Sequence, residues 1–133
     1  MSHIEQLQNK NLKVTPQRLE IVDVLTHFGH INIDNLYKNL QSKFPTISLA
    51  TIYKNLNTMQ DKDFVCEVKI PHQKSVYEIT KKKHSHVVCS NCNEIVDIEI
   101  TTTKLTEEAK SLSGYQLDDS SIVFSGLCPE CSK

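Results

Sequence analysis

Long hydrophobic runs are missing from this chain. No apolar stretch approaches the ~20 residues needed to cross a bilayer as a helix, so no membrane partner is expected. No charged opening followed by an apolar core marks a secretory signal, and the expected compartment is the cytoplasm. Internal repeats and low-complexity tracts are lacking too, with only three glycines and four prolines in 133 residues. An excess of either charge is also lacking: 15 Lys and Arg stand against 16 Asp and Glu, a net charge of −1. Taken whole, that balance argues against a nucleic-acid partner, because domains that bind polyanions are usually basic. Hydrophobic residues make up 38%, enough for a packed core though below the globular average. The length fits one ordinary domain or two small ones.

The charge balance hides an asymmetry. Residues 1–83 carry 12 Lys and Arg against 8 Asp and Glu, net +4. Residues 84–133 carry 3 Lys against 8 Asp and Glu, net −5. Such a contrast between halves points to one half meeting a polyanion while the other does not.

Five cysteines are present, and four of them form two pairs, Cys89-x-x-Cys92 and Cys128-x-x-Cys131, with 35 residues between. In a reducing compartment such thiols stay free or bind metal. Each pair places two thiolates on a tight turn, and two turns complete a closed four-cysteine zinc site. A thioredoxin-type redox pair lacks its βαβ surroundings here, and iron–sulfur motifs are usually denser. Structural zinc at Cys89, Cys92, Cys128 and Cys131 is therefore expected. Cys66 stands alone and reads as a small buried hydrophobe on the inward side of a strand.

The first half reads as short helices followed by a hairpin. Ile4, Leu7 and Leu12 mark a weak opening helix. Thr15-Pro16 is a helix start, Leu19, Val22 and Leu25 recur at helical spacing with Ile21 and Phe28, and Gly29 ends the segment. Asn32 caps a second helix bearing Ile33, Leu36, Tyr37, Leu40 and Phe44, which Pro45 stops. Ser48 caps a third, with Leu49, Ile52, Leu56 and Met59 toward the core and Ala50, Thr51, Tyr53, Lys54 and Asn57 outward. After Asp61-Lys62-Asp63 the period changes to two, so residues 64–80 read as a β-hairpin. Three helices and a hairpin make a winged helix-turn-helix, whose third helix enters the major groove. The Thr51 methyl or the Tyr53 ring could pack on thymine methyls. Lys13, Arg18, Lys54 and Lys62 could contact phosphates, and Arg18 could reach a narrow minor groove. The rival reading of this face is a plain solvated one.

Residues 81–83, all lysine, form the expected hinge between a DNA-binding domain at 1–80 and a second domain at 84–133. The latter reads as strands at 84–88, 95–100, 115–117 and 122–124 and a helix at 103–112. The expected class is α+β, a winged helix plus a small α/β domain. About 50 residues form a marginal core alone, so a metal and a homodimer are expected to support it. His84-x-His86 on a strand puts two imidazoles on one face, with Glu78 and Asp97 nearby and His30 after the Gly29 helix stop. Nitrogen and oxygen donors without thiolate suit Fe(II), Mn(II) or Zn(II).

Four motifs carry a resemblance to a known family: Val14-Thr-Pro-Gln-Arg18, Ser48-Leu-Ala-Thr-Ile-Tyr-Lys-Asn-Leu56, His84-Ser-His-Val-Val-Cys-Ser-Asn-Cys92 and Gly126-Leu-Cys-Pro-Glu-Cys131. Over essentially its whole length the chain resembles the Fur family of metal-dependent bacterial repressors. The resemblance implies a winged-helix domain joined to an α/β dimerisation domain, with structural zinc at the four paired cysteines. It implies a regulatory Fe(2+) or Mn(2+) site at His30, Glu78, His84, His86 and Asp97, and a double-stranded DNA operator as partner. It also implies base contacts by Tyr53 and a minor-groove approach by Arg18. Asp97 and the short ending Cys128-Pro-Glu-Cys131-Ser-Lys resemble the peroxide-sensing PerR branch. Glu78 stands where that branch typically has Asp and iron-sensing Fur has Glu. Zinc-sensing relatives often have Cys there. Lys83, Ser85 and Ser120 stand where a further metal site would need His, Asp and His.

The expectation is a peroxide-responsive repressor and not an enzyme, with hydrogen peroxide as its only small-molecule signal. Metal held by both halves would favour the DNA-competent form. If the metal is Fe(II), the PerR resemblance implies His30 or His84 as the target of peroxide, giving 2-oxo-histidine. The alternative within the family is an iron-responsive Fur repressor. From other classes, the His/Asp/Glu set could serve a metalloenzyme, or the chain could be a zinc-storage or scaffold module.

Overall fold

Small hydroxyl and amide side chains start the helices of the first eighty residues. Ser2, Thr15, Asn32 and Ser48 each adopt extended backbone and accept a bond from the amide three residues on. They start α1 (His3–Asn9), α2 (Pro16–Phe28), α3 (Ile33–Gln41) and α4 (Leu49–Asp61). Each such cap contributes about 1 kcal/mol. At the other end of α2, Gly29 takes φ +77, a conformation that side chains disfavour, and its amide bonds Leu25 O. The computed structural model describes all 133 residues, which divide into two compact units, Met1–Lys81 and Lys82–Lys133.

In the first unit, α1 to α4 close around Leu7, Ile21, Leu25, Leu36, Leu40, Ile52, Leu56 and Met59, all essentially inaccessible to solvent. Against them lies a three-stranded antiparallel sheet in the order β1 (Ile31–Asn32), β3 (Val76–Ile79), β2 (Val65–Val68). Strands β2 and β3 are the wing hairpin. The two-residue β1 is too short to show a period in the sequence, yet it decides where His30 falls. Two expected core residues lie outside: Phe28, at the last position of α2, is half exposed, and Leu49, at the first position of α4, is 38% exposed. Both sit at helix ends, where the buried stripe runs off the packed body. Helix α3 also stops at Gln41, four residues before Pro45.

The second unit is a three-stranded sheet in the order β5 (Ile95–Ile98), β4 (Ser85–Cys89), β6 (Val123–Gly126), with α5 (Thr103–Ser113) between β5 and β6. Strand β5 runs antiparallel to β4 and β6 runs parallel to it. A parallel pair needs a long crossover, which α5 and residues 114–122 supply. Gly114 ends α5 in the left-handed conformation, φ +72. The strand expected at 115–117 does not form. With five helices and two small sheets, the chain is α+β.

Candidate metal centres and nucleic-acid interface

The four paired cysteines meet because β4 and β6 are neighbours. Cys89 closes β4 opposite Gly126, the last residue of β6, so Cys128 follows two residues beyond. One ligand atom from each of Cys89, Cys92, Cys128 and Cys131 lies within 4.8 Å of all the others. Cys92 Sγ and Cys128 Sγ are 3.9 Å apart. The edge of a tetrahedron with ~2.3 Å zinc–sulfur bonds is about 3.8 Å, so the cluster fits a tetrahedral ion. The Cys92 and Cys128 amides donate to Cys89 Sγ at 3.5 and 3.4 Å, and the Cys131 amide donates to Cys128 Sγ at 3.4 Å. Those two amides pull the Cys89 thiol down to about 6, against the cost of desolvation. Cys92 receives a Glu94 amide, but the crowded sulfurs of Cys89, Cys128 and Cys131 push it up to about 12. Four thiolates at this spacing repel, and a cation among them removes the conflict.

A second donor set falls into two parts, one in each unit. In the first unit, Ile31 of β1 pairs with Tyr77 of β3 in antiparallel register, which brings His30 beside Glu78. His30 Nε2 lies 2.9 Å from Glu78 Oε2. Glu78 is only 2% exposed, and a buried carboxylate is costly unless paired or coordinated. Its other oxygen, Oε1, accepts from Cys66 Sγ at 3.5 Å. Burial, then the Glu78 charge, pushes the Cys66 thiol up to about 11, which keeps it a donor at neutral pH. Cys66 is therefore not the plain buried hydrophobe expected of it: it is half-buried and polar in role. Sequence periodicity could not find this contact, which needs the β2–β3 register that opposes Cys66 to Glu78.

In the second unit, His84 precedes β4 and His86 lies within it, their rings 4.5 Å apart. His86 is the direct cross-strand partner of Asp97. Both imidazoles aim Nε2 at one carboxylate oxygen: His84 is 3.6 Å and His86 3.5 Å from Asp97 Oδ1. These separations exceed a good hydrogen bond. They suit donors that share one ion: with bonds of ~2.1 Å, neighbouring ligand atoms stand about 3–3.6 Å apart. His84 Nδ1 lies 2.9 Å from Lys82 O. A carbonyl only accepts, so Nδ1 carries the proton and Nε2 of the neutral ring keeps its lone pair, an arrangement common for metal-binding histidines.

On α4, Ala50, Tyr53, Lys54 and Asn57 are exposed as the helical period requires. Thr51 is half-buried, and its Oγ1 lies 2.9 Å from the Ser48 capping hydroxyl, so that oxygen is engaged locally. Arg18, in the first turn of α2, donates Nε to Asn55 Oδ1 and Nη1 to Lys13 O, both at 3.0 Å. Asn55 in turn donates to Thr51 O at 3.0 Å. Asn55 is missing from the expected contact set, because its link to Arg18 spans 37 residues.

Residues 9–125 match the ferric uptake regulator family. The chain is 32% identical over 132 residues to the peroxide operon regulator of Bacillus subtilis, covering 98% of this chain and 91% of the relative. The crystal structure of the Campylobacter jejuni peroxide stress regulator is similar at 37% identity and TM-score 0.70, covering 98% of this chain and all of that one. The Vibrio cholerae ferric uptake regulator, whose DNA-binding domains are described as structurally rearranged, is similar at 32% identity and TM-score 0.71, covering 93% and 98%. Sequence match, shared architecture and a metal-ready thiol cluster agree, and the chain belongs to the ferric uptake regulator family of metal-binding transcriptional repressors.

Proposed function

We propose that this repressor is peroxide-responsive, with structural zinc at Cys89, Cys92, Cys128 and Cys131 and a regulatory Fe(2+) or Mn(2+) held by His30, Glu78, His84, His86 and Asp97. The observation that carries the regulatory site is the convergence of the His84 and His86 Nε2 atoms on Asp97 Oδ1 at 3.6 and 3.5 Å. The peroxide reading is supported by Asp97 and by the likeness to peroxide regulators from two organisms. His30 and Glu78 belong to the first unit, and His84, His86 and Asp97 to the second. One ion held by all five would favour a single arrangement of the units, which is how metal would control operator binding. The partner is a double-stranded DNA operator, read by a homodimer through Arg18, Ala50, Thr51, Tyr53, Lys54 and Asn57.

The roles of the chain's own groups follow from chemistry. His84 is held through Nδ1 by Lys82 O, which would leave Nε2 to hold the ion. Glu78 supplies a buried carboxylate, and Asp97 joins the two histidines. When bound, Fe(2+) would supply the redox chemistry that cleaves the O–O bond of hydrogen peroxide beside these imidazoles. The ring would give up two electrons to the peroxide: one peroxide oxygen would enter at the ring C–H carbon of His30 or His84, the other would leave as water, and the resulting 2-oxo-histidine, a poorer donor, would release the repressor from DNA.

A DNA mobility-shift assay with Mn(2+), Fe(2+) and Zn(2+), each with and without peroxide, tests this. Mn(2+) should support binding in both conditions, and Fe(2+) only until peroxide is added. Mass spectrometry should then find one added oxygen on a peptide with His30 or His84. Unmodified protein that stays on DNA would assign an iron-responsive Fur repressor. That second reading is favoured by Glu78 and by the likeness to the Vibrio cholerae protein.

A further inference from the structure

The two oxygens of Glu78 have different partners. Oε2 lies 2.9 Å from His30 Nε2, while Oε1 accepts the Cys66 thiol at 3.5 Å. Cys66 and Glu78 are directly opposed on β2 and β3, so their side chains share one face of the wing sheet. Glu78 is almost fully buried and Cys66 half-buried, so little water competes for that oxygen, and low dielectric strengthens even a weak donor. A carboxylate can bind a metal through one oxygen or two. That choice sets the coordination number, and with it the preference among divalent metals.

We infer that Cys66 is a positioning residue for the regulatory metal: by holding Oε1, it presents Glu78 through Oε2 alone, beside His30. This rests on the ligand set proposed above, with Glu78 in it. Partners that orient a ligand from behind typically change metal affinity 10- to 100-fold when removed. A donor to the unused oxygen belongs to that class.

The test uses the full-length protein, titrated with Mn(2+) and followed by electron paramagnetic resonance, with Co(2+) absorption as the reporter of coordination number. Cys66→Ala should bind Mn(2+) about tenfold more weakly and change the Co(2+) spectrum, while its metal-free melting temperature stays near the parent's. Cys66→Ser keeps a donor and should restore most of the affinity. Cys66→Val fills the strand position without a donor and should behave like Cys66→Ala, carrying the comparison if the alanine variant fails to fold. Parent-like affinity and spectrum in Cys66→Ala and Cys66→Val would overturn the inference. So would equal loss in the alanine and serine variants together with lower metal-free melting, the mark of a packing role. His84→Ala separates the two layers. If it loses Mn(2+) while Cys66→Ala does not, only the positioning role fails. If it binds Mn(2+) normally, the ligand set fails and the inference with it.

Discussion

The two units of this chain hold themselves together by different means. The first encloses a core of seventeen buried residues, most of them from its four helices and three-stranded sheet. In the second, only Val88 and Cys89 are buried apolar residues, while Val96, Ile100, Leu105, Leu112, Tyr115, Leu117, Phe124 and Leu127 are exposed. A unit with so little interior must draw stability from elsewhere. The proposed zinc at the thiol cluster would be one source, since an ion that binds only the folded form stabilises it. The proposed homodimer would be the other, with a second copy of the chain covering these apolar side chains, since exposed apolar surface on this scale is characteristic of interfaces.

The sharpest way to break this contrast is to remove the thiol cluster. Cys128→Ser should lose one tightly held zinc per chain and, with it, the structure of the second unit, while the helices of the first persist. Metal analysis, gel filtration and far-ultraviolet circular dichroism measure these together, and a variant that remains a zinc-containing dimer would refute the assignment. In the opposite direction, Leu56→Ala leaves a hole in the first unit's core and should destabilise it by about 2–5 kcal/mol. Zinc content should not change, as denaturant unfolding beside metal analysis will read. Leu105→Asp addresses the second support. Leu105 is 55% exposed, so the chain should fold, yet dimer dissociation in analytical ultracentrifugation should rise about tenfold or more. The smallest effect is expected at a cap: Ser48→Ala should cost about 1 kcal/mol of first-unit stability and leave metal binding untouched.

How much was legible beforehand divides along similar lines. Features set by near neighbours in the sequence came through: the caps at Thr15, Asn32 and Ser48, the Gly29 and Gly114 helix stops, and the cysteine pairs. Each depends on residues within about one helical turn. Features set by pairing at a distance did not. The β1 strand has two residues and no period of its own, and the parallel β4–β6 pair joins segments nearly forty residues apart. The Cys66–Glu78 and Arg18–Asn55 bonds depend on such pairing. Tyr115 to Leu117 alternates like a strand, but no partner strand forms there. Phe28 and Leu49 have the hydrophobicity of core residues but lie at helix ends.

Helix α2 has a mechanical meaning. Its first turn carries Arg18, clamped to the α4 residue Asn55, and His30 follows directly after its Gly29 stop. At about 1.5 Å per residue, some 17 Å of rigid rod separates Arg18 from that stop. Pivoting the rod about its His30 end sweeps Arg18 sideways by about 0.3 Å for each degree of tilt. Because Ile21, Val22 and Leu25 anchor α2 in the same core as α4, such a tilt would carry Arg18 and the α4 face clamped to it as one body.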